Sequence, residues 1–363
     1  PYIAATRLRL KEIDRALGRL DRGDTLSADD CALIAACGLG STLIDEIPAE
    51  VQESGGQMAL EIFLGADLRR ADLRGADLHR LDLRASNLRG ANLSNTILIG
   101  VDLSWADLCG ADLSGANLRG AIFAGTALMG ANSLKADLTG SDLRWADLSN
   151  ANLSEADINE ANLSEATLVH ANLSGASLRG TRLVRADLCR TTLTAADLPG
   201  AMLAGAKLCG SELIVADLRE VDLTGADLSK ADMRWADLDR ACLAESNLNG
   251  ADLSEANLRK TDLKRANMRR ALLHAADLRQ TDLSNANMAD ASLHLAHLNG
   301  AVLVNADLRG ADLSQAYLNE VDLSKADLRG VNLEGTIVSY EQLAKVKSMR
   351  GAILPDGTRA TLG

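Results

Sequence analysis

Apolar residues return every five positions over most of the chain. In Gly65–Leu83, GADLRRADLRGADLHRLDL, leucine stands at Leu68, Leu73, Leu78 and Leu83, each directly after an aspartate. That period is neither the 3.6 of a helix nor the 2 of a strand. The frame holds from Phe63 to Gly335 without an insertion, and its central residue always has a number ending in 3 or 8. Two residues before the centre stands a small residue, usually Ala, and one before it usually stands Asp or Asn. The two residues after the centre vary and are mostly polar or Gly. Two inward and three outward positions per five describe a chain that turns after each pentapeptide. Four such turns close a coil of about 20 residues, and coils stacked at about 4.8 Å satisfy one another's backbone groups.

The rare residues agree with that coil length. Phe63 and Phe123, Trp105 and Trp145, Cys189 and Cys209, Met268 and Met288, and His274 and His294 are all separated by multiples of 20. Met233 and Trp235 fall outside these columns, and Trp235 is expected on the face opposite Trp105. One irregularity, Ser133 at a centre with Leu134 one place late, reads as a local bulge.

Residues 1–57 lie outside the repeat and form an α-helical N-terminal module or cap. Ile3, Leu10, Ile13, Leu17 and Leu20 are spaced for a helix over Ala4 to Leu20. Ser27 is an N-cap for a second helix through Cys37, with Gly38 at its end. Residues 58–335 form the repeat domain. Residues 336–363 form a C-terminal cap, with a short helix expected over Tyr340 to Met349.

The runs A-D-L-S-G, A-N-L-R-G and A-D-L-R-G resemble the pentapeptide-repeat family, A(D/N)LXX, over roughly three quarters of the chain. The tail from Ser339 to Thr358 also resembles the C-terminal end of such proteins. The resemblance implies an all-β solenoid, a right-handed quadrilateral parallel β-helix with four pentapeptides per coil. At β spacing, about 14 coils would make a rod of roughly 65 Å. Its core would include Phe63, Leu68, Leu73, Leu78, Leu83 and Phe123. Solenoid ends expose core and unpaired backbone, so a homodimer through one end is a further expectation. Some members of the family imitate DNA and bind type II topoisomerases, giving quinolone resistance, and that is the alternative function the resemblance implies.

Composition narrows the chemistry. Aromatic residues make up only 2% of 363, too few for an ordinary core of that size. The net charge of -12 argues against direct nucleic-acid binding through phosphate neutralisation. Residues 61–335 carry 28 basic and 38 acidic residues, and 26 of those acids are the Asp before a centre. The variable outward positions are therefore richer in Arg and Lys than in acids, which makes a mixed field rather than an acidic sheath. No run of 18 apolar residues marks a membrane span, and the charged, amphipathic start has no signal-type stretch, so a cytoplasmic protein is expected.

No motif points to catalysis or to a cofactor. The aspartates occupy near-identical settings, whereas acid–base catalysis needs carboxylates whose environments differ. They read as turn residues at coil corners. His274, His294 and His297 read as a solvated column without the extra ligands a metal needs. The Asn-Leu-Ser triplets at Asn92, Asn152, Asn162 and Asn172 arise from the repeat itself. The six cysteines form no C-x-x-C pair, and Cys189 and Cys209, stacked on adjacent coils, are expected as free thiols.

Trp105, Trp145, Met129 and Cys109 fall at outward positions on two adjacent faces of the same few coils. Large apolar groups have no core role there, so they are the candidate patch for a protein partner. The reading is a non-enzymatic interaction or scaffold module that presents a rigid surface to a protein whose identity the sequence does not name.

Overall fold

The computed structural model describes residues 64–79 and 81–360. The N-terminal module and Phe63 lie outside the described residues. The chain divides into two compact units, Pro1–Thr167 and Leu168–Gly363.

In the first unit the chain coils with a period of 20 residues. The residue before each centre bridges in parallel to its counterpart one coil on, from Asp67 with Asn87 through to Asp147 with Thr167. Each centre donates its N–H across the same gap, as Leu68 does to the Asn87 carbonyl at 2.8 Å, while Asn87 N–H reaches back to the Ala66 carbonyl at 2.7 Å. Between bridges the chain turns within four residues, closed by bonds such as Ala71 N–H to the Leu68 carbonyl at 3.1 Å. Four turns separate bridged partners. The third residue of each turn has positive φ, such as 58° at Arg70 and 65° at Gly75. Glycine enters that region at little steric cost, which explains its frequent place at the end of the repeat.

The Asp or Asn before each centre serves the turn. Its side-chain oxygen accepts the N–H two residues on, as in Ser104 N–H to Asp102 Oδ1 at 2.9 Å. Where Asn replaces Asp, its amide can also donate along the column, as from Asn132 to Asp112 and from Asn152 to Asn132.

The core is the column of centres together with the small residues two before them. Burial deepens from the first described coil inward: Leu68 is half-buried, Leu73 is 7% exposed and Leu83 is 1% exposed. Leu68 is thus less buried than the sequence suggested, because a terminal coil has a neighbour on one side only among the described residues. Each fully buried leucine contributes about 1.5–3 kcal/mol. Where Ser or Thr replaces the inward Ala, the hydroxyl donates to a core-edge carbonyl, as Ser86 does to Leu83 and Thr126 to Leu103.

The expected bulge at Ser133 is absent. Ser133 takes a centre position, 2% exposed, and its N–H meets the Asn152 carbonyl at 2.7 Å. Leu134 takes the first turn position, half-buried. Ten residues earlier, at the centre of the opposite side of the same coil, stands Phe123, 1% exposed. A large side chain on one side and a small one on the other conserve the volume of the coil interior, so the register has no reason to slip.

The second unit repeats this coil from Asn172 with Thr192 to Tyr317 with Ile337. The register then lengthens by one residue, so that Asp327 pairs with Ser348 and Asn332 with Ile353. The extra residue accommodates helix α1, Tyr340–Leu343. This helix is shorter than the Tyr340 to Met349 expected from sequence. Ser339 caps it, accepting the Gln342 N–H, and Gln342 Oε1 accepts the Ser339 N–H at 2.8 Å. The Gln342 amide also donates to the Leu318 and Val321 carbonyls at 2.8 and 2.9 Å. One side chain therefore serves both the helix start and two carbonyls where the ladder changes register.

Candidate protein-binding site

Trp105 and Trp145 stand at the third turn position of one corner in the first unit, with Gly125 between them in the same column. At β spacing the two tryptophans are about 10 Å apart along the coil axis. Trp105 is 70% exposed and Trp145 51%. Both have positive φ, 62° and 59°. Each side chain is held differently.

Trp145 has polar neighbours. The Arg144 guanidinium lies 5.0 Å from its ring centroid, and its indole N–H donates to Glu165 at 3.2 Å. Arg144 is itself clamped by Asp142 through two charge-assisted bonds of 2.8 and 2.7 Å. That guanidinium holds the Asp142 carboxyl below the usual carboxylate range. The same Asp-x-Arg-Trp arrangement recurs in the second unit, where Asp232 clamps Arg234 and Arg234 lies 5.5 Å from the Trp235 ring centroid. Trp105 follows Ser104 and has no such arginine. Its ring instead occupies the space above Gly125, where an added β-carbon would stand 2.5 Å from Cζ3.

Met129 and Cys109 form a second column on the adjacent face, joined through the Gly110 N–H to Met129 carbonyl bond of 2.9 Å. Met129 is exposed and Cys109 half-buried. Burial, reinforced by Asp107, pushes the Cys109 thiol up.

The sequence reading missed Ile122, 36% exposed, which bridges Asp102 on one side and Asp142 on the other. The available signal was the segment Ala121 to Gly130, AIFAGTALMG, which has no charged residue. There the repeat's two carboxylates are replaced by Ile122 and Ala127. A charge-free stretch thus runs between the two tryptophans and carries Met129 at its far end.

The other candidates lie in the second unit. His274 and His294 stack at 5.4 Å, His297 stacks on Tyr317 at 4.6 Å, and His294 bonds Ser314. Among the described residues no three His, Cys, Asp or Glu side chains are grouped to hold a metal. Cys189 and Cys209 form a disulfide, which corrects the expectation of free thiols. Stacking on adjacent coils brings their Cα atoms to 4.6 Å, inside the range that a disulfide spans. Among the described residues no helix is long and apolar enough to cross a membrane.

Comparison with known proteins agrees with the coil. The family description "Pentapeptide repeats (8 copies)" matches in stretches from residue 62 to residue 335. HetL, a pentapeptide repeat protein involved in heterocyst differentiation regulation from the cyanobacterium Nostoc sp. strain PCC 7120, is 32% identical over 76% of this chain and 91% of its own, with a TM-score of 0.28. Rfr23 from the cyanobacterium Cyanothece 51142 is 26% identical over 30% of this chain and 88% of its own, with a TM-score of 0.30. QnrB1, a plasmid-mediated fluoroquinolone resistance protein, is 22% identical over 49% of this chain and 93% of its own, with a TM-score of 0.29. No curated protein sequence matches the chain. A repeat matched over most of its length, in coils that bridge every 20 residues, places the chain in the pentapeptide-repeat family, to which it belongs.

Proposed function

We propose that the chain is a non-enzymatic interaction module that presents the corner formed by Trp105, Ile122, Met129 and Trp145 to a protein partner. The observation that carries this reading is the exposure of four large apolar side chains, Trp105, Ile122, Met129 and Trp145, around a charge-free segment. Exposed aromatic and Met side chains grouped in this way mark interaction surfaces, and Trp in particular concentrates binding energy. Proteins of this repeat family are generally structural or interaction modules, and no catalytic family is indicated.

In the same reading the coils are right-handed and number about 14 over residues 58–335, residues 1–57 and 336–363 act as caps, and one solenoid end supports a homodimer. A cytoplasmic setting fits this reading only with Cys189 and Cys209 reduced, and thiol mapping distinguishes the two states.

A DNA-mimicking topoisomerase binder has less support. Many of the repeat's aspartates are matched by arginine two residues on, as in Asp67–Arg69, Asp72–Arg74, Asp217–Arg219 and Asp307–Arg309, so the ladder does not present bare negative charge.

The test is capture of partners from lysate by wild type and by the double variant Trp105→Ala/Trp145→Ala. Loss of a captured protein, with the circular dichroism spectrum retained, supports the assignment. An unchanged set of captured proteins overturns it.

A further inference from the structure

The C-terminal part of the second unit holds a cleft of about 650 Å³ that the interaction reading does not use. It lies beside the register change. There the Lys325 N–H meets the Lys345 carbonyl at 2.9 Å, one residue beyond the usual offset, and the Lys347 N–H meets the Ala326 carbonyl at 2.8 Å. Lys325, Lys345 and Lys347 line this cleft together with Arg309 and Arg329.

Five cations face two carboxylates there, and the carboxylates are already engaged. Asp307 receives two bonds from Arg309, at 2.8 and 2.6 Å, and Asp327 two from Arg329, at 2.8 and 2.7 Å. Lys347 reaches Asp327 only at 3.7 Å. Among the described residues neither Lys325 nor Lys345 forms an ion pair within 4.0 Å, although Lys345 also lies in the field of Asp322. Three lysines thus line one cleft, with Lys325 and Lys345 on adjacent coils. An anion bound between them would relieve their mutual repulsion.

We propose that this cleft binds a small ligand carrying two or more linked phosphates. Phosphate is favoured over carboxylate because both arginine forks, the groups that read a carboxylate in bidentate fashion, are committed to Asp307 and Asp327. What remains are lysines, point charges with rotatable donors that suit phosphate oxygens. The lining has no aromatic side chain to stack on a base. The cleft therefore reads the phosphates and not a nucleoside attached to them.

The experiment is titration calorimetry of the full chain with inorganic triphosphate at about physiological ionic strength, with adenosine triphosphate and citrate as further arms. Saturable binding of triphosphate is expected, with adenosine triphosphate within about threefold and citrate at least tenfold weaker. Lys325→Gln/Lys345→Gln/Lys347→Gln is expected to weaken triphosphate binding at least tenfold with an unchanged circular dichroism spectrum. Lys230→Gln, outside the cleft, should leave it intact. No saturable binding by wild type up to millimolar triphosphate, or equal affinity in the triple variant, overturns the site. Citrate binding as tightly as triphosphate overturns the choice of phosphate.

Discussion

The ring of Trp105 lies directly over the α-carbon of Gly125, one coil further on, in the space that a β-carbon at Gly125 would fill. The most exposed tryptophan of the corner is therefore seated by the absence of a side chain below it. Gly125 also has φ of 66°, so alanine there is strained as well as crowded. Gly125→Ala is expected to cost about 1–2 kcal/mol in chemical denaturation. The crowding part should vanish when Trp105→Ala is made first, so the two changes are less than additive. Strict additivity would show that the ring is not seated on Gly125.

Phe123 and Ser133 make a second coupled pair, large against small across one coil. Ser133→Leu alone should overpack that coil and cost about 1–3 kcal/mol. Combined with Phe123→Leu it should cost much less, since the coil then has the leucines of its neighbours. Thermal melts of the three variants measure this, and a double variant as unstable as the sum of the singles contradicts it.

Stability should fall in acid. The carboxyls of Asp142, Asp217, Asp307 and Asp327 are held below the usual range, chiefly by hydrogen bonds from Arg144, Arg219, Arg309 and Arg329. A group whose folded value is depressed stabilises the fold fully above its unfolded value, about 3.9 for Asp, and loses that contribution as pH falls through the lower folded value. Unfolding free energy should be flat between about pH 5 and 7 as far as these groups are concerned, and should decline below about pH 4. Arg144→Gln should reduce the acid-dependent part. Stability rising on acidification contradicts the pairing.

Alkylation under non-reducing conditions, followed by peptide mapping, should find Cys189 linked to Cys209, with Cys109 and Cys242 alkylated as free thiols. Recovery of Cys189 and Cys209 as alkylated peptides would return them to the free state that the sequence suggested.

Much of the coil was legible from residues alone, because its code is local. Leu73, Leu78 and Leu83 announce inward positions, Asp72 and Asp82 the turn, and Gly75 a positive φ, all within a few neighbours. What escaped depends on partners a whole coil away. The bulge assigned to Ser133 looked necessary until Phe123, on the other side of the coil, supplied the missing volume. The exposure of Ile122 beside the tryptophan corner is set among Asp102 and Asp142, one coil away on either side. The lysine cleft lies beside one extra residue at α1, an offset that periodicity before Thr336 does not encode. The exposure of Trp105, Trp145 and Met129 was legible because bulky apolar residues in outward positions violate the repeat's own rule.

The central claim, that this corner docks a protein, is tested most directly by site-specific photocrosslinking. A photoreactive phenylalanine derivative would replace Met129 or Ile122 in the corner, or Val215, an exposed apolar residue of the second unit. The account predicts one crosslinked protein shared by positions 129 and 122, absent at 215, and lost when Trp105→Ala/Trp145→Ala is added. No crosslinked protein at 129 and 122, or the same products at all three positions, would contradict it.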